Sequence, residues 1–128
     1  MIAESGAGDG RAARDFFFTE YRLNHVLFHY PKPVVALLDG ITMGGGIGLV
    51  RGARFRVACD TSVWAMPEIS IGLFPDVGGT WMLNRLPGKT GLFMGLTGAQ
   101  IGAADALFAG MADYHLVRNS WQTLIARL

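Results

Sequence analysis

The stretch Val34-Val-Ala-Leu-Leu-Asp-Gly-Ile-Thr-Met-Gly-Gly-Gly-Ile-Gly-Leu49 decides how the rest of the chain is read. Its first five residues form an apolar run of the kind that fills a strand covered on both faces. Asp39-Gly40 turns the chain out of that strand. The glycines Gly44-Gly45-Gly46 then open a short helix expected to end near Gly52, and a helix start leaves backbone N–H groups without intrahelical acceptors. The helix dipole favours negative charge at the same place. Downstream, Phe55-Arg-Val-Ala-Cys59 alternates as a strand does, and Ser62-Val-Trp-Ala65 reads as a third short one. Strand, helix, strand is the order of an α/β layer.

Toward the N-terminus, residues 1–10 are small, polar and glycine-rich, which predicts a loop or frayed start. From Arg11 to Tyr30 the residues Phe17, Tyr21, Leu23, Val26, Leu27 and Tyr30 recur at helical spacing, so an amphipathic helix is expected, stopped by Pro31 and Pro33. Toward the C-terminus, Ile69–Gly79 reads as a loop, followed by short helices over Thr80–Leu86 and Gly88–Leu96. A helix over Ala103–Ala109, a strand over Tyr114–Val117 and a helix capped by Ser120 and running to Leu128 complete the pattern. No repeat or low-complexity tract interrupts it.

At 128 residues the chain holds one core. It is 51% hydrophobic before its 18 glycines are counted, and only 16% charged. A soluble domain has about 45–50% apolar residues with glycine included, so this chain carries more apolar surface than it buries alone. A homo-oligomer, or a partner that supplies a missing lobe, is the expected remedy. The net charge of +1 and scattered arginines form no basic stripe, which argues against a nucleic-acid partner. The single cysteine, Cys59, cannot form an internal disulfide, and no Cys/His spacing suits zinc. That points to a reducing compartment, the cytoplasm or the mitochondrial matrix of a eukaryote. No apolar run approaches the roughly 20 residues of a membrane span, and no signal peptide is evident.

Chemistry enters with Met66-Pro67-Glu68 and Phe74-Pro75-Asp76. Two carboxylates beside flexible backbone amides are the parts needed to stabilise an oxyanion and move protons around it. Each has a plainer reading: Glu68 as a solvated loop carboxylate, Asp76 as the cap of the helix near Thr80, and the glycines as a site of close helix packing. Nucleotide-loop spacings fail. A dinucleotide fingerprint needs glycine where Leu49 or Arg51 stands, and Gly88-Lys89-Thr90 lacks the glycine required at Leu83. His25 and His29 have the spacing of a metal pair, but Val26 stands where a zinc protease has glutamate, so both read as ordinary helix residues. Glu20 reads as a surface charge, and Cys59 as a small buried apolar residue.

Taken together, Lys32-Pro-Val-Val-Ala-Leu-Leu-Asp-Gly-Ile-Thr-Met-Gly-Gly-Gly46, Phe55-Arg-Val-Ala58 and Ala65-Met-Pro-Glu-Ile-Ser-Ile-Gly-Leu-Phe-Pro-Asp-Val-Gly-Gly79 resemble the crotonase (enoyl-CoA hydratase/isomerase) superfamily, from about Phe16 to Val117. Within it the chain looks most like the 3-hydroxyisobutyryl-CoA hydrolase subfamily. The resemblance implies an α/β fold, a partial crotonase-type ββα spiral core with short strands and flanking helices. It implies that residues 1–128 are one partial crotonase-like domain, the middle of a longer protein. The thioester carbonyl would be held by backbone amides, one of them at Gly45. Family hydratases carry a glutamate three residues later, where this chain has Gly48, which disfavours two-glutamate hydration. The hydrolase pattern has glycine there, with the Pro-Glu carboxylate at Glu68 and a further aspartate at Asp76. Phe17-Phe-Thr-Glu-Tyr-Arg-Leu-Asn24 resembles that subfamily's helix whose glutamate faces substrate, making Glu20 a candidate hydroxyl-binding group.

The expected reaction is hydrolysis of a short β-hydroxyacyl-CoA thioester. Glu68 would act as general base or as nucleophile, and Asp76 would orient water or tune Glu68. No cofactor is expected, since coenzyme A is part of the acyl-CoA substrate. The alternatives are an enoyl-CoA hydratase or isomerase, and an inactive chain that acts only through association. The family's second oxyanion amide comes from a loop that would precede this chain, for which Ser5-Gly-Ala-Gly-Asp9 is a poor match.

Overall fold

The computed structural model describes residues 8–128. The expected N-terminal loop lies largely outside the described residues, as does most of Ser5–Asp9. Helix α1 spans Arg11–Phe28, entered through Gly10 in the left-handed region (φ 70°). It stops two residues short of the expected Tyr30, because Tyr30 and Pro31 already lead into the strand segment. None of its residues is buried, although its periodicity is clear.

Strands β1 (Val35–Leu38) and β3 (Phe55–Ala58) pair in parallel, with Val35 opposite Phe55 and Leu38 opposite Ala58. β6 (Tyr114–His115) joins the other edge of β3, also parallel. A second sheet is built from β2 (Ile41–Met43), β4 (Val63–Ala65) and β5 (Ile101–Gly102), with β2 parallel and β5 antiparallel to β4. Each sheet has three strands, ordered β1-β3-β6 and β2-β4-β5. Residues adjacent in sequence, β1 and β2, therefore go to different sheets, and the chain winds between the two layers.

β2 and β5 were not expected. Three-residue and two-residue strands carry no alternation of their own, and both exist because β4 offers hydrogen-bonding edges on either side. The expected strand over Tyr114–Val117 shortens to two residues. The loop over Ile69–Gly79 instead begins with a 3-10 turn, Glu68–Ile71. The remaining helices are α2 (Gly45–Arg51), α3 (Gly79–Leu83), α4 (Thr90–Thr97), α5 (Ala103–Phe108) and α6 (Trp121–Ile125). The expected final helix to Leu128 is a 3-10 turn, Arg118–Ser120, followed by the five residues of α6.

The core lies between the two sheets and α2 to α5. Trp64, Ile47, Met66, Met94, Met111 and Cys59 are its largest fully buried side chains. Methionine fills irregular gaps well, which suits a core made where short elements meet at many angles. Outside that core the apolar residues lack cover: Phe18, Ile41, Ile71, Phe74, Leu96 and Phe108 are each at least 65% exposed. Cys59 is buried as expected, within a polar set: Thr61 Oγ1 lies 3.1 Å from its sulfur and the Leu38 carbonyl 3.6 Å.

Candidate active site

The site is built where α1, the start of α2 and the segment 68–78 meet. Gly44 has φ 50° and ψ −119°, a conformation open to glycine, and donates its N–H to Ala65 O at 3.1 Å. That bond ties the glycine turn to the end of β4, two residues before Pro67. Gly45 begins α2, so its N–H has no intrahelical acceptor.

Two carboxylates close on this turn. Glu68 Oε1 lies 2.7 Å from where a side chain on Gly44 would begin, and Glu20 Oε1 lies 2.5 Å from the same point on Gly45. Any larger residue at either position would displace a carboxylate, so close approach accounts for both glycines. Asp76 is electrostatically coupled to both glutamates. The residues expected from sequence, Glu20, Gly45, Glu68 and Asp76, therefore lie in one neighbourhood.

Glu68 is 7% exposed, so the solvated-loop reading does not hold, and its Oε2 is out of reach of water with no hydrogen-bond partner. Burial raises its carboxyl above the ordinary range, a backbone N–H bond of its own residue opposes this, and the charge of Asp76 adds to the rise. Burial also raises Glu20, and Asp76 again pushes the same way. Asp76 accepts a 2.7 Å hydrogen bond from the Tyr21 hydroxyl. Burial and that bond hold the Tyr21 hydroxyl in its protonated form well above its usual range.

Asp76 does not cap α3. Gly78, left-handed at φ 78°, stands at the N-cap position without a side-chain cap bond, and the Asp76 side chain is turned to Tyr21. Between them Val77 is held at φ 44°, a conformation rare for a β-branched residue, with its side chain buried. Strain of this kind clusters at working loops.

Val77 and Asn24 close the space beside Gly48. A side chain there would begin 2.5 Å from Val77 Cβ and 3.0 Å from Asn24 Nδ2. A glutamate cannot enter without moving the loop that carries Asp76. Beyond Tyr21 and Asp76 opens a cavity of about 410 Å³, walled by α1, Arg51 and the segment Phe74–Gly78.

His25 and His29 stack with ring centroids 4.2 Å apart, and the His29 ring nitrogen Nδ1 is 2.9 Å from His25 O. Among the described residues no group of three or more His, Cys, Asp or Glu is placed to hold a metal ion. No helix among them is long and apolar enough to cross a membrane.

Sequence reasoning missed Tyr21, Asn24 and Val77. Asn24 stands four residues after Glu20 and so shares its helix face, a signal that was available. Tyr21 and Val77 gain their roles only from tertiary contacts.

The sequence model of the enoyl-CoA hydratase/isomerase family matches residues 1–128. Mitochondrial 3-hydroxyisobutyryl-CoA hydrolase of Xenopus tropicalis is 51% identical over 113 residues, which are 88% of this chain and 29% of that protein. Small ribosomal subunit protein mS47 of Neurospora crassa is 48% identical over 114 residues, 89% of this chain and 22% of that protein. The crystal structure of an enoyl-CoA hydratase from Rhodobacter sphaeroides superposes with a TM-score of 0.93 at 48% identity, covering 99% of this chain and 38% of the other. The chain thus spans less than two fifths of the length of each of these proteins.

Proposed function

This chain belongs to the enoyl-CoA hydratase/isomerase family, and we propose that within it the chain serves the hydrolysis of a short β-hydroxyacyl-CoA thioester of the 3-hydroxyisobutyryl type. The observation that carries this reading is the closed space at Gly48. A two-glutamate hydratase needs a second carboxylate there, and Val77 and Asn24 fill the place it would occupy. The carboxylates come instead from Glu68, Asp76 and Glu20.

In the proposed reaction the Gly45 N–H donates to the thioester oxygen as negative charge builds on it. One such donor is worth about 3–4 kcal/mol of barrier. Water attacks the carbonyl carbon and gives its proton to Glu68, the C–S bond breaks, and the departing thiolate takes a proton back. A carboxyl raised by burial is a better base when ionised and a readier acid once protonated. Asp76, fixed by Tyr21, orients the water, and Glu20 accepts the substrate's β-hydroxyl proton in a hydrogen bond. In a covalent variant Glu68 attacks first and expels the thiolate, and water then opens the anhydride at the Glu68 carbonyl carbon, releasing the acid. Single turnover in ¹⁸O-water separates the two, since the covalent route leaves label in Glu68 itself. The reaction needs no cofactor beyond the coenzyme A of its substrate, and a reducing compartment suits the free, buried Cys59.

The test is release of free thiol from 3-hydroxyisobutyryl-CoA, lost on Glu68→Gln. Loss of enoyl-CoA absorbance with no thiol released would replace this reading with hydration. A second reading has its own support in the similarity to mS47, a protein named for a ribosomal subunit, and in the uncovered apolar residues of α1 and α4. On that reading the chain works by association with copies of itself or with a partner. Purified chain that forms large assemblies, binds hydrophobic dye and releases no thiol would favour it.

A further inference from the structure

The cavity of about 410 Å³ beside Asp76 does not include Glu20, Gly45 or Glu68; it shares with the carboxylate site only the wall formed by Tyr21, Gly48 and the segment 76–78. Its polar lining is Asn24, His25, His29, Arg51 and Thr80, with the Asp76 carboxylate on the shared wall. The Asn24 carboxamide has both polar atoms out of reach of water and unpartnered, and Arg51 Nε is in the same condition. The Arg51 guanidinium lies 4.5 Å from the Trp81 ring centroid and 5.2 Å from that of Phe28. It rests against Gly78, filling the space a side chain there would need. A second cation, Arg85, sits 3.7 Å over the same Trp81 ring. Among the described residues neither arginine is ion-paired, whereas Arg56 and Arg118 each have an aspartate. His25 and His29 stack along the same cavity wall.

Arg51 is part-exposed, but its Nε is shut off from water with no acceptor, which costs about 1–3 kcal/mol or more, and stacking on an aromatic ring returns only about 0.5–2 of that. Its planar fork of donors matches the oxygens of a carboxylate or phosphate. The amide of Asn24 adds a neutral donor to the same lining. We propose that this cavity is a binding site for a small oxyanion, a phosphate or carboxylate group held by Arg51 and Asn24, next to the acyl site and sharing the Tyr21–Asp76 wall with it. This stands on the two orphaned donors and holds whether or not the chain hydrolyses thioesters.

Trp81 is a built-in reporter. The intact chain is titrated with inorganic phosphate and, separately, with malonate, at ionic strength held constant with chloride, following tryptophan fluorescence and thermal unfolding. A saturable signal with a rise in unfolding temperature is expected from at least one probe. A response to phosphate alone assigns a phosphate group, and one to malonate alone a carboxylate. Arg51→Met should weaken binding tenfold or more, and Asn24→Asp, which keeps the volume and adds a negative charge, should abolish it. If Arg51→Met fails to fold by circular dichroism, Asn24→Asp decides. Trp81→Phe should remove the fluorescence change while the thermal shift remains. No response beyond the chloride control, or equal binding by Asn24→Asp, would overturn the proposal.

Discussion

Asp113, open to solvent on one side, and Glu68, buried, are carboxylates that the protein treats in opposite ways. Asp113 receives three hydrogen bonds from Arg56: the backbone N–H at 2.8 Å and Nε at 2.9 Å on Oδ2, and Nη2 at 2.7 Å on Oδ1. Those bonds hold its carboxyl below the ordinary range and fasten the segment before β6 to β3. Glu68 is more deeply buried, has one oxygen with no partner, and is shifted the other way. Donors surround the carboxylate that holds strands together and are withheld from the one beside the glycine turn. An under-satisfied carboxylate is costly in a core, so its persistence next to Gly44 is what a working group looks like.

The sharpest way to break this contrast is to neutralise Glu68. Glu68→Gln keeps the volume and removes the charge, and thiol release should fall by about a hundredfold or more, the usual scale for a lost general base. Stability should move the other way. A carboxyl whose folded pKa is raised contributes stability that is fully present below its unfolded pKa and is lost as pH rises through the folded value. Thermal unfolding should therefore show Glu68→Gln above the parent at neutral pH, with the gap closing toward pH 4. A variant less stable than the parent at neutral pH would mean that Glu68 has a structural partner.

Asp113→Asn gives the reverse pattern. Loss of charge-assisted bonds to a part-buried guanidinium should cost about 1.5–3 kcal/mol at neutral pH. The folded pKa of Asp113 is depressed, so its contribution is present above its unfolded value and is lost as pH falls through the folded one. Denaturant unfolding of parent and variant should converge in acid, where the Glu68 pair also converges but from the opposite side.

Tyr21→Phe removes one hydrogen bond from Asp76 and leaves the ring in place. The expected loss is about 1 kcal/mol, read as a roughly fivefold drop in turnover with little change in unfolding temperature. A drop as large as that of Glu68→Gln would shift the centre of the site from Glu68 to the Tyr21–Asp76 pair.

How far sequence carried the fold depended on how local each signal was. β1, β3 and the start of α2 were legible because an apolar run, an alternation and a glycine cluster each act within a few residues. β2 and β5 were not, since their strand character is conferred by β4 from outside the segment. For α1 the period was right, and the stripe is left half open: Tyr21 and Val26 sit on it and are 43% and 47% exposed. The site divides the same way. Glu68 and Asp76 stand in turn-forming Pro-Glu and Pro-Asp pairs that draw the eye, whereas Arg51 gained interest only once its guanidinium was seen against Phe28, Trp81 and Gly78.

The smallest expected effect tests the uncovered surface. Phe18 is 68% exposed on α1, so in the isolated chain Phe18→Ser removes little buried area and should change unfolding free energy by less than about 0.5 kcal/mol. If that face is covered in the working assembly, the same substitution costs the burial of an aromatic ring, about 1.5–3 kcal/mol, and the cost depends on protein concentration. Denaturant melts at two concentrations tenfold apart decide between these outcomes. A concentration-independent and near-zero change would leave the carboxylate site and the α1 surface as independent features. A large, concentration-dependent one would show that the α1 surface around Phe18 is a buried face, covered by another chain.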